Sequence, residues 1–158
     1  MKINIICVGK IKEDFFKGAA AEYEKRLSRF CDISIINLPD KSIPENASES
    51  ECQNVLKAEG ELILKKIGKS DTVIALCVEG KMLTSEGLAE KIKDIQNYSS
   101  TIDFVIGGSL GLSQEVKNRA DFKLSLSAMT FPHRIARIVL EEQIYRAFKI
   151  NNNESYHK

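Results

Sequence analysis

The segment TVIALCVEGKMLTSEGLAEKIKDIQNYSSTIDFVI, residues 72–106, decides the fold that the sequence predicts. It begins with the apolar run Thr72–Val78 and ends with a second apolar run, Ile102–Ile106, and both are typical of buried strands. Thr84 or Ser85 can cap the helix that lies between them. A strand, a helix and a second strand of these lengths predict a βαβ unit, because parallel strands need a crossover connection.

The same alternation of strand and helix extends through the rest of the chain. We predict further strands at 2–9, 32–38 and 122–126, and further helices at 13–30, 48–67, 113–119 and 132–150. Ser48 and Glu51 have the spacing of a capping box. The sequence therefore predicts one α/β domain, residues 1–158, with a mostly parallel sheet of five to six strands and helices on both faces. Periodicity does not predict the order of the strands.

The composition is typical of a globular protein and argues against a membrane protein or a metal-binding protein. The chain has 158 residues, 43% hydrophobic and 28% charged, which is typical of one globular domain. The longest apolar run, Val73–Val78, is too short for a membrane span, so we expect no membrane association. Four cysteines without a CxxC spacing, and two histidines 24 residues apart, predict a cytoplasmic protein without a metal site.

Charge is unevenly distributed along the chain. Basic residues are in excess at residues 1–30 and 117–158, and acidic residues are in excess between them. This pattern is compatible with a face that binds a polyanion and equally with ordinary solvated surface. Charge alone therefore leaves both interpretations open.

Three segments are predicted to be loops that follow strands at the sheet edge where open α/β sheets bind ligands: Glu79–Leu83, Gly107–Gly111 and Ser127–Phe131. The glycine-rich segment matches neither GxGxxG nor a P-loop. It is either a tight turn or a place where backbone amides approach a ligand closely. The third segment carries Met and Phe, so it either packs into the core or contacts an apolar ligand surface such as a purine.

On the last predicted helix, Glu142 shares one face with the apolar residues Ile135, Ile138 and Val139. Glu142 and Arg146 are four residues apart and can pair, either as an ordinary surface ion pair or as a carboxylate held in a cleft. The chain ends with Tyr156, His157 and Lys158. Such an end is usually frayed, yet these three side chains can also stack on a base, move a proton and contact phosphate.

Six segments together carry a resemblance to a known family. They are KINIICVGKIK at 2–12, EYEKRL at 22–27, EGKMLTSEGLA at 79–89, FVIGGSLGL at 104–112, LSLSAMTFPHRIARIVLEEQIYRAFKI at 124–150 and YHK at 156–158. In their order and spacing the chain resembles, over essentially its full length, the small bacterial 23S rRNA (pseudouridine-N3)-methyltransferases of the SPOUT superfamily, the RlmH type. The resemblance implies a deep trefoil knot formed by the C-terminal part, about residues 72–158, and an obligate homodimer.

The resemblance also implies a cofactor and its site. S-adenosylmethionine (SAM) would bind in the knot through backbone groups of the three segments described above, with Gly80 shaping the first. Carried over position by position, the expected cofactor contacts are Leu76, Gly107, Gly108, Leu126, Ser127, Ala128, Met129, Thr130 and Phe131. No metal is expected, because SAM carries an activated methyl group.

The expected reaction is methylation of an imide nitrogen that is mostly protonated at neutral pH, so the enzyme must take or share that proton. The resemblance gives five candidate catalytic residues: His133, Glu142, Arg146, Tyr156 and His157. Glu142 or His157 would be the base, Arg146 and Lys158 would meet phosphate or carbonyl oxygens, and Tyr156 would position the tail. With a basic excess only at its ends, the chain is expected to act on ribosomal RNA within the assembled ribosome. The alternatives are a SPOUT methyltransferase for another RNA nucleotide, or a non-catalytic nucleotide-binding or RNA-binding module.

Overall fold

The computed structural model describes residues 1–156, in which strands and helices alternate. The elements are β1 (Lys2–Val8), α1 (Asp14–Leu27), β2 (Asp32–Leu38), α2 (Glu49–Leu64), β3 (Thr72–Met82), α3 (Ser85–Gln96), β4 (Thr101–Ile106), α4 (Gln114–Arg119), β5 (Phe122–Ser125) and α5 (His133–Asn151). The strands form one parallel sheet in the order β2-β1-β4-β3-β5. The expected α/β architecture is therefore confirmed, with five strands in the described residues.

Helices cover both faces of the sheet, as the near-continuous apolar strands require. On one face, α1, α3 and α5 pack over a core that includes Ile5, Phe104 and Ile144. On the other face, α2 and α4 pack over a smaller core that includes Ile6 and Val105. In the described part of the chain, no helix combines the length and the apolar composition that crossing a membrane would need.

Side-chain caps fix where three helices begin. The Ser48 hydroxyl accepts the backbone N–H of Glu51, and the Glu51 carboxylate accepts the backbone N–H of Ser48, so the predicted capping box is present. In α3 and α4 the cap is a single hydrogen bond, in which the hydroxyl of Thr84 or Ser113 accepts the backbone N–H of Gly87 or Val116. Pro132, expected in the first turn of the last helix, instead occupies its N-cap position.

The segment Glu79–Leu83, predicted to be a loop, is mostly strand. β3 continues to Met82, because its register shifts after Leu76 and the strand then pairs with β5 a second time. Gly80 permits this close approach, since a Cβ there would lie 2.7 Å from the carbonyl carbon of Leu124. A glycine flanked by charged residues looked like a turn in the sequence, whereas here it marks an irregularity within a strand.

Candidate active site

A cavity of about 660 Å³ opens at the carboxyl ends of β4 and β5, beside the irregular part of β3. Its walls come from Leu76–Glu79 of β3, the loop after β4, and the loop between β5 and α5. Of the residues expected to contact a cofactor, those that line it are Leu76, Gly107, Gly108, Leu126, Ser127, Met129, Thr130 and Phe131. Ala128 belongs to the same loop but does not line the cavity and is exposed.

The glycine-rich wall is a closed turn. The backbone N–H of Gly111 donates to the carbonyl of Gly108 at 3.0 Å, and the φ of Gly111 is +79°, a conformation that favours glycine. A Cβ on Gly107 would clash with the carbonyl oxygen of Gly111. Gly107 therefore has no room for a side chain, and Gly107 and Gly108 present bare backbone to the cavity.

The opposite wall is apolar and is shaped by Ser127. The Ser125 hydroxyl donates to the carbonyl of Ser127 at 2.9 Å, and the Ser127 hydroxyl accepts the backbone N–H of Met129 at 3.0 Å. These bonds hold the loop so that Phe131 and Met129 face the cavity, although Met129 is 71% exposed. An apolar wall facing a polar backbone wall suits a ligand with a flat base and a charged or polar arm.

One ion pair lies at the rim of the cavity. The Lys117 ammonium donates to the Glu79 carboxylate, and this hydrogen bond lowers the pKa of Glu79. Both residues line the cavity. Glu79 is thus an ionised, solvated acceptor at the mouth.

His133 lies at the start of α5, also against the cavity. Its ring packs on Gly9, where φ is +86° and a Cβ would lie 3.0 Å from the His133 Nε2 atom. Burial and the neighbouring Arg134 lower the pKa of His133, so the imidazole is neutral at pH 7. Among the described residues, its buried Nε2 atom has no hydrogen-bond partner.

A second cluster lies further along α5, centred on Glu142. One oxygen of this carboxylate accepts from Arg146 Nη2 at 2.8 Å, Arg146 Nε at 3.1 Å and the Tyr156 hydroxyl at 3.2 Å. The other oxygen accepts from Gln143 Nε2 at 2.6 Å. Hydrogen bonding to Glu142 raises the pKa of Arg146, and burial together with the Glu142 charge raises the pKa of Tyr156.

The chain folds back on itself to bring Tyr156 to this cluster. Asn153 adopts φ +53°, and the backbone N–H of Glu154 then donates to the carbonyl of Lys149 at 2.9 Å. The Tyr156 ring lies edge-on to Tyr145 at 5.0 Å and under the Arg146 guanidinium at 4.6 Å. His157, a candidate base, and Lys158 lie outside the described residues.

The cavity and the Glu142 cluster occupy opposite sides of α5 within one chain. His133 and Glu142 are nine residues apart, which corresponds to roughly 13 Å along a helix and half a turn around it. The structure therefore brings Glu142, Arg146 and Tyr156 together, and it brings His133 to the cavity, but it leaves the two groups apart.

Sequence reasoning missed three charged residues that lie buried on helices. Arg137 and Glu141 form an ion pair inside the core face of α5, joined by Nε and Oε1 at 2.7 Å. Glu59 lies on α2 beneath the glycine turn and is also buried. A signal for the pair was present, because Arg137 and Glu141 are in phase with Leu140 and with Ile144 rather than with the exposed side of the helix.

Comparisons with known proteins agree with this architecture. Residues 1–157 match the family model described as a predicted SPOUT methyltransferase. The protein named ribosomal RNA large subunit methyltransferase H from Oenococcus oeni is 54% identical over 159 residues, covering 100% of this chain and 99% of its own. The protein of the same name from Clostridium novyi is also 54% identical over 159 residues, with both chains fully covered.

A solved structure shares the fold at much lower sequence identity. It is described as a probable methylase family protein from Haemophilus influenzae, and it matches with a TM-score of 0.57 and 16% identity over 99% of this chain and 70% of that chain. This likeness concerns the fold alone. Because the family model spans nearly the whole sequence and the relatives are matched along their full length, this chain belongs to the SPOUT methyltransferase family.

Proposed function

We propose that this protein transfers a methyl group from SAM to N3 of a pseudouridine in 23S ribosomal RNA. The observation that carries the proposal is the cavity walled by a bare glycine turn and an apolar loop, in a chain that belongs to a methyltransferase family. The relatives named ribosomal RNA large subunit methyltransferase H support the choice of substrate. One domain would bind both the methyl donor and the RNA. Its C-terminal part, residues from about 72 to 158, would form the knot and hold the donor.

The residues of the cavity fit SAM. Its volume of about 660 Å³ lies in the range of cofactor pockets, about 300–1,000 Å³. Backbone groups of Gly107 and Gly108 can approach a ligand without side chains in the way, and Phe131 and Leu126 offer an apolar surface for an adenine ring. When bound, SAM supplies an activated methyl group, so the chemistry needs no metal. Among the described residues, no cluster of three His, Cys, Asp or Glu side chains has a geometry that could hold a metal ion.

The residues of this chain would hold the donor, accept the imide proton and bind the nucleotide. The loop walls would hold the donor still, which would lower the entropic cost of reaction. The Glu142 carboxylate would accept the imide proton from N3, with His157 as the other candidate base. The Arg146 guanidinium and Lys158 would bind phosphate or carbonyl oxygens of the nucleotide, and Tyr156 would orient the tail. His133, neutral and beside the cavity, would border the bound nucleotide.

A homodimer would unite the two groups that one chain keeps apart. The α5 face that carries Glu142 also carries Ile138 and Ile135, of which Ile135 is 37% exposed. Val78 and Met82, near the cavity, are large hydrophobic residues that this chain also leaves exposed. We propose that a second copy covers these residues and presents its Glu142 cluster to the cavity of the first.

Mixing two inactive variants tests this arrangement. Gly107→Ala disrupts the donor cavity, and Glu142→Gln removes the proposed base. If each active site takes its cavity from one subunit and its Glu142 from the other, co-expressed mixed dimers regain methylation at one of their two sites. Mixed dimers without activity, or protein that stays monomeric by light scattering, would contradict the shared site.

The substrate is proposed to be the assembled ribosome rather than free RNA, which also assigns the protein to the cytoplasm. A net charge of +1 gives little general attraction to a polyanion, so affinity must come from a preformed surface. Methylation should be measured by mass spectrometry on naked 23S RNA, isolated large subunits and whole ribosomes. We expect methylated pseudouridine only on the assembled particles, and equal rates on naked RNA would contradict the proposal.

A further inference from the structure

A buried carboxylate lies directly behind the glycine turn of the cavity. Glu59 is on α2 and is only 4% exposed. Its two oxygens are 3.2 Å and 3.4 Å from the position that a Cβ on Gly108 would occupy. The side of Gly108 that faces away from the cavity is therefore packed against a carboxylate.

Glu59 also ties this turn to the loop after β2. Its Oε1 atom accepts the backbone N–H of Lys41 at 3.0 Å. The neighbouring Gly60 packs against Ser113, the cap of α4, so closely that a Cβ there would clash with the Ser113 hydroxyl. Glu59 and Gly60 together brace the turn and the start of α4 from behind.

Bracing alone does not explain a carboxylate at this place. The Glu59 Oε2 atom is buried and has no hydrogen-bond partner in residues 1–156, and no lysine or arginine in that range forms a salt bridge with it. Burial accordingly raises the pKa of Glu59. An unpaired buried charge is costly unless a positive charge compensates it. An amide or an aliphatic side chain would fill the same space at lower cost.

We infer that Glu59 is a positioning residue that favours a positively charged ligand on the cavity side of Gly108. The inference rests on the proposed function, because the proposed donor carries a permanent positive charge on its sulfonium sulfur. The product, S-adenosylhomocysteine, has the same shape apart from one methyl group and lacks that charge. A negative charge behind the turn thus favours the donor over the product, which aids release after methyl transfer.

Calorimetric titration of the full-length protein with SAM and with S-adenosylhomocysteine tests the inference. Glu59→Gln keeps the shape and an oxygen that can accept the Lys41 N–H, and it removes the charge. We expect this variant to bind SAM about tenfold more weakly and S-adenosylhomocysteine within twofold of the wild type. Glu61→Gln, the same change at an exposed position of α2, should leave both affinities unaltered.

Any other result would contradict either the inference or the proposed function. An equal loss of affinity for both ligands in Glu59→Gln would assign Glu59 to bracing alone and overturn the inference, as would no loss for either. Because the charge is unpaired, the ligand-free variant should unfold at the wild-type temperature or above it. A variant that is less stable or fails to fold would show that the carboxylate serves the fold, which also overturns the inference. Wild-type protein that binds neither ligand would overturn the proposed function itself.

Discussion

Two arginine–glutamate pairs on α5 have the same spacing and opposite surroundings. Arg137 and Glu141 are four residues apart, with side chains 8% and 0% exposed. Glu142 and Arg146 are also four residues apart, with side chains 18% and 25% exposed. Spacing alone does not distinguish the two pairs, since either can form the i,i+4 contact of a helix. Their roles differ because one faces the core and the other faces a surface that this chain leaves partly open.

The buried pair joins three elements. Arg137 donates to Glu141 on its own helix, to Glu24 of α1 at 2.6 Å and to Asn37 of β2 at 3.4 Å. Such a pair adds little net stability compared with apolar residues, but it fixes how α5 sits on its neighbours. The partly exposed pair joins α5 to the returning chain at Tyr156, and its side chains are 18% and 25% exposed.

The largest difference between the pairs should appear in catalysis. We expect Glu142→Gln to lower the single-turnover rate of ribosome methylation by about 10²–10⁴-fold, because a positioned general base contributes about that much. The free energy of unfolding should change by less than about 1 kcal/mol, since the carboxylate is partly solvated. Single-turnover methylation and urea unfolding measure the two effects, with Glu61→Gln as the control. A wild-type rate in Glu142→Gln would remove Glu142 from the base role.

For stability, the buried pair should matter more than the partly exposed pair. We expect Arg137→Met at pH 8 to lower the free energy of unfolding by about 3–5 kcal/mol, because it leaves the buried Glu141 without its cation. Arg146→Met should cost less than about 1 kcal/mol. Urea unfolding of both variants gives the answer. The double variant Arg137→Met with Glu141→Leu should recover most of the loss, and failure to recover would mean that packing of the arginine stem, rather than charge, sets the cost.

The features predicted best from the sequence are those with local causes. Ser48 and Glu51 form their capping box because four consecutive residues suffice to make it. The alternation of strand and helix follows from periodicity. Two of the three predicted ligand-binding segments, Gly107–Gly111 and Ser127–Phe131, follow strands and contribute to the cavity. The knot that SPOUT membership implies came only from the resemblance, since no local pattern encodes the path of one segment through another.

The features that the sequence did not predict depend on tertiary contacts. Glu79–Leu83 reads as a loop, yet pairing with β5 makes most of it strand. On α5 we placed Glu142 on one face with Ile135 and neighbouring aliphatic residues, and the structure buries the adjacent face instead. Arg137 and Glu141 therefore lie in the core, where charged residues are least expected. Only the partners on α1 and β2 make that placement tolerable.

The pH dependence of stability should distinguish the two glutamates. Burial raises the pKa of Glu141 to about 7, against 4.5 when unfolded. Between these pH values the folded protein keeps a proton that the unfolded chain loses, so the free energy of unfolding falls as pH rises, by about 3 kcal/mol in total. Urea unfolding from pH 4.5 to 7.5 measures this. Glu141→Gln should abolish this decline and Glu142→Gln should retain it; the same curve for both would contradict the assignment.

The smallest effect is the coupling between Glu142 and Arg146. A double-mutant cycle with Glu142→Gln and Arg146→Gln, followed by urea unfolding, should give a coupling free energy of about 0.3–0.5 kcal/mol, because solvent screens the pair. The same cycle on Arg137 and Glu141 should give a value several times larger. A coupling above about 2 kcal/mol for Glu142 and Arg146 would mean that this pair also serves the fold. The loss of methylation in Glu142→Gln could then no longer be assigned to chemistry. The coupling free energy therefore decides how the loss of the methylation rate is interpreted.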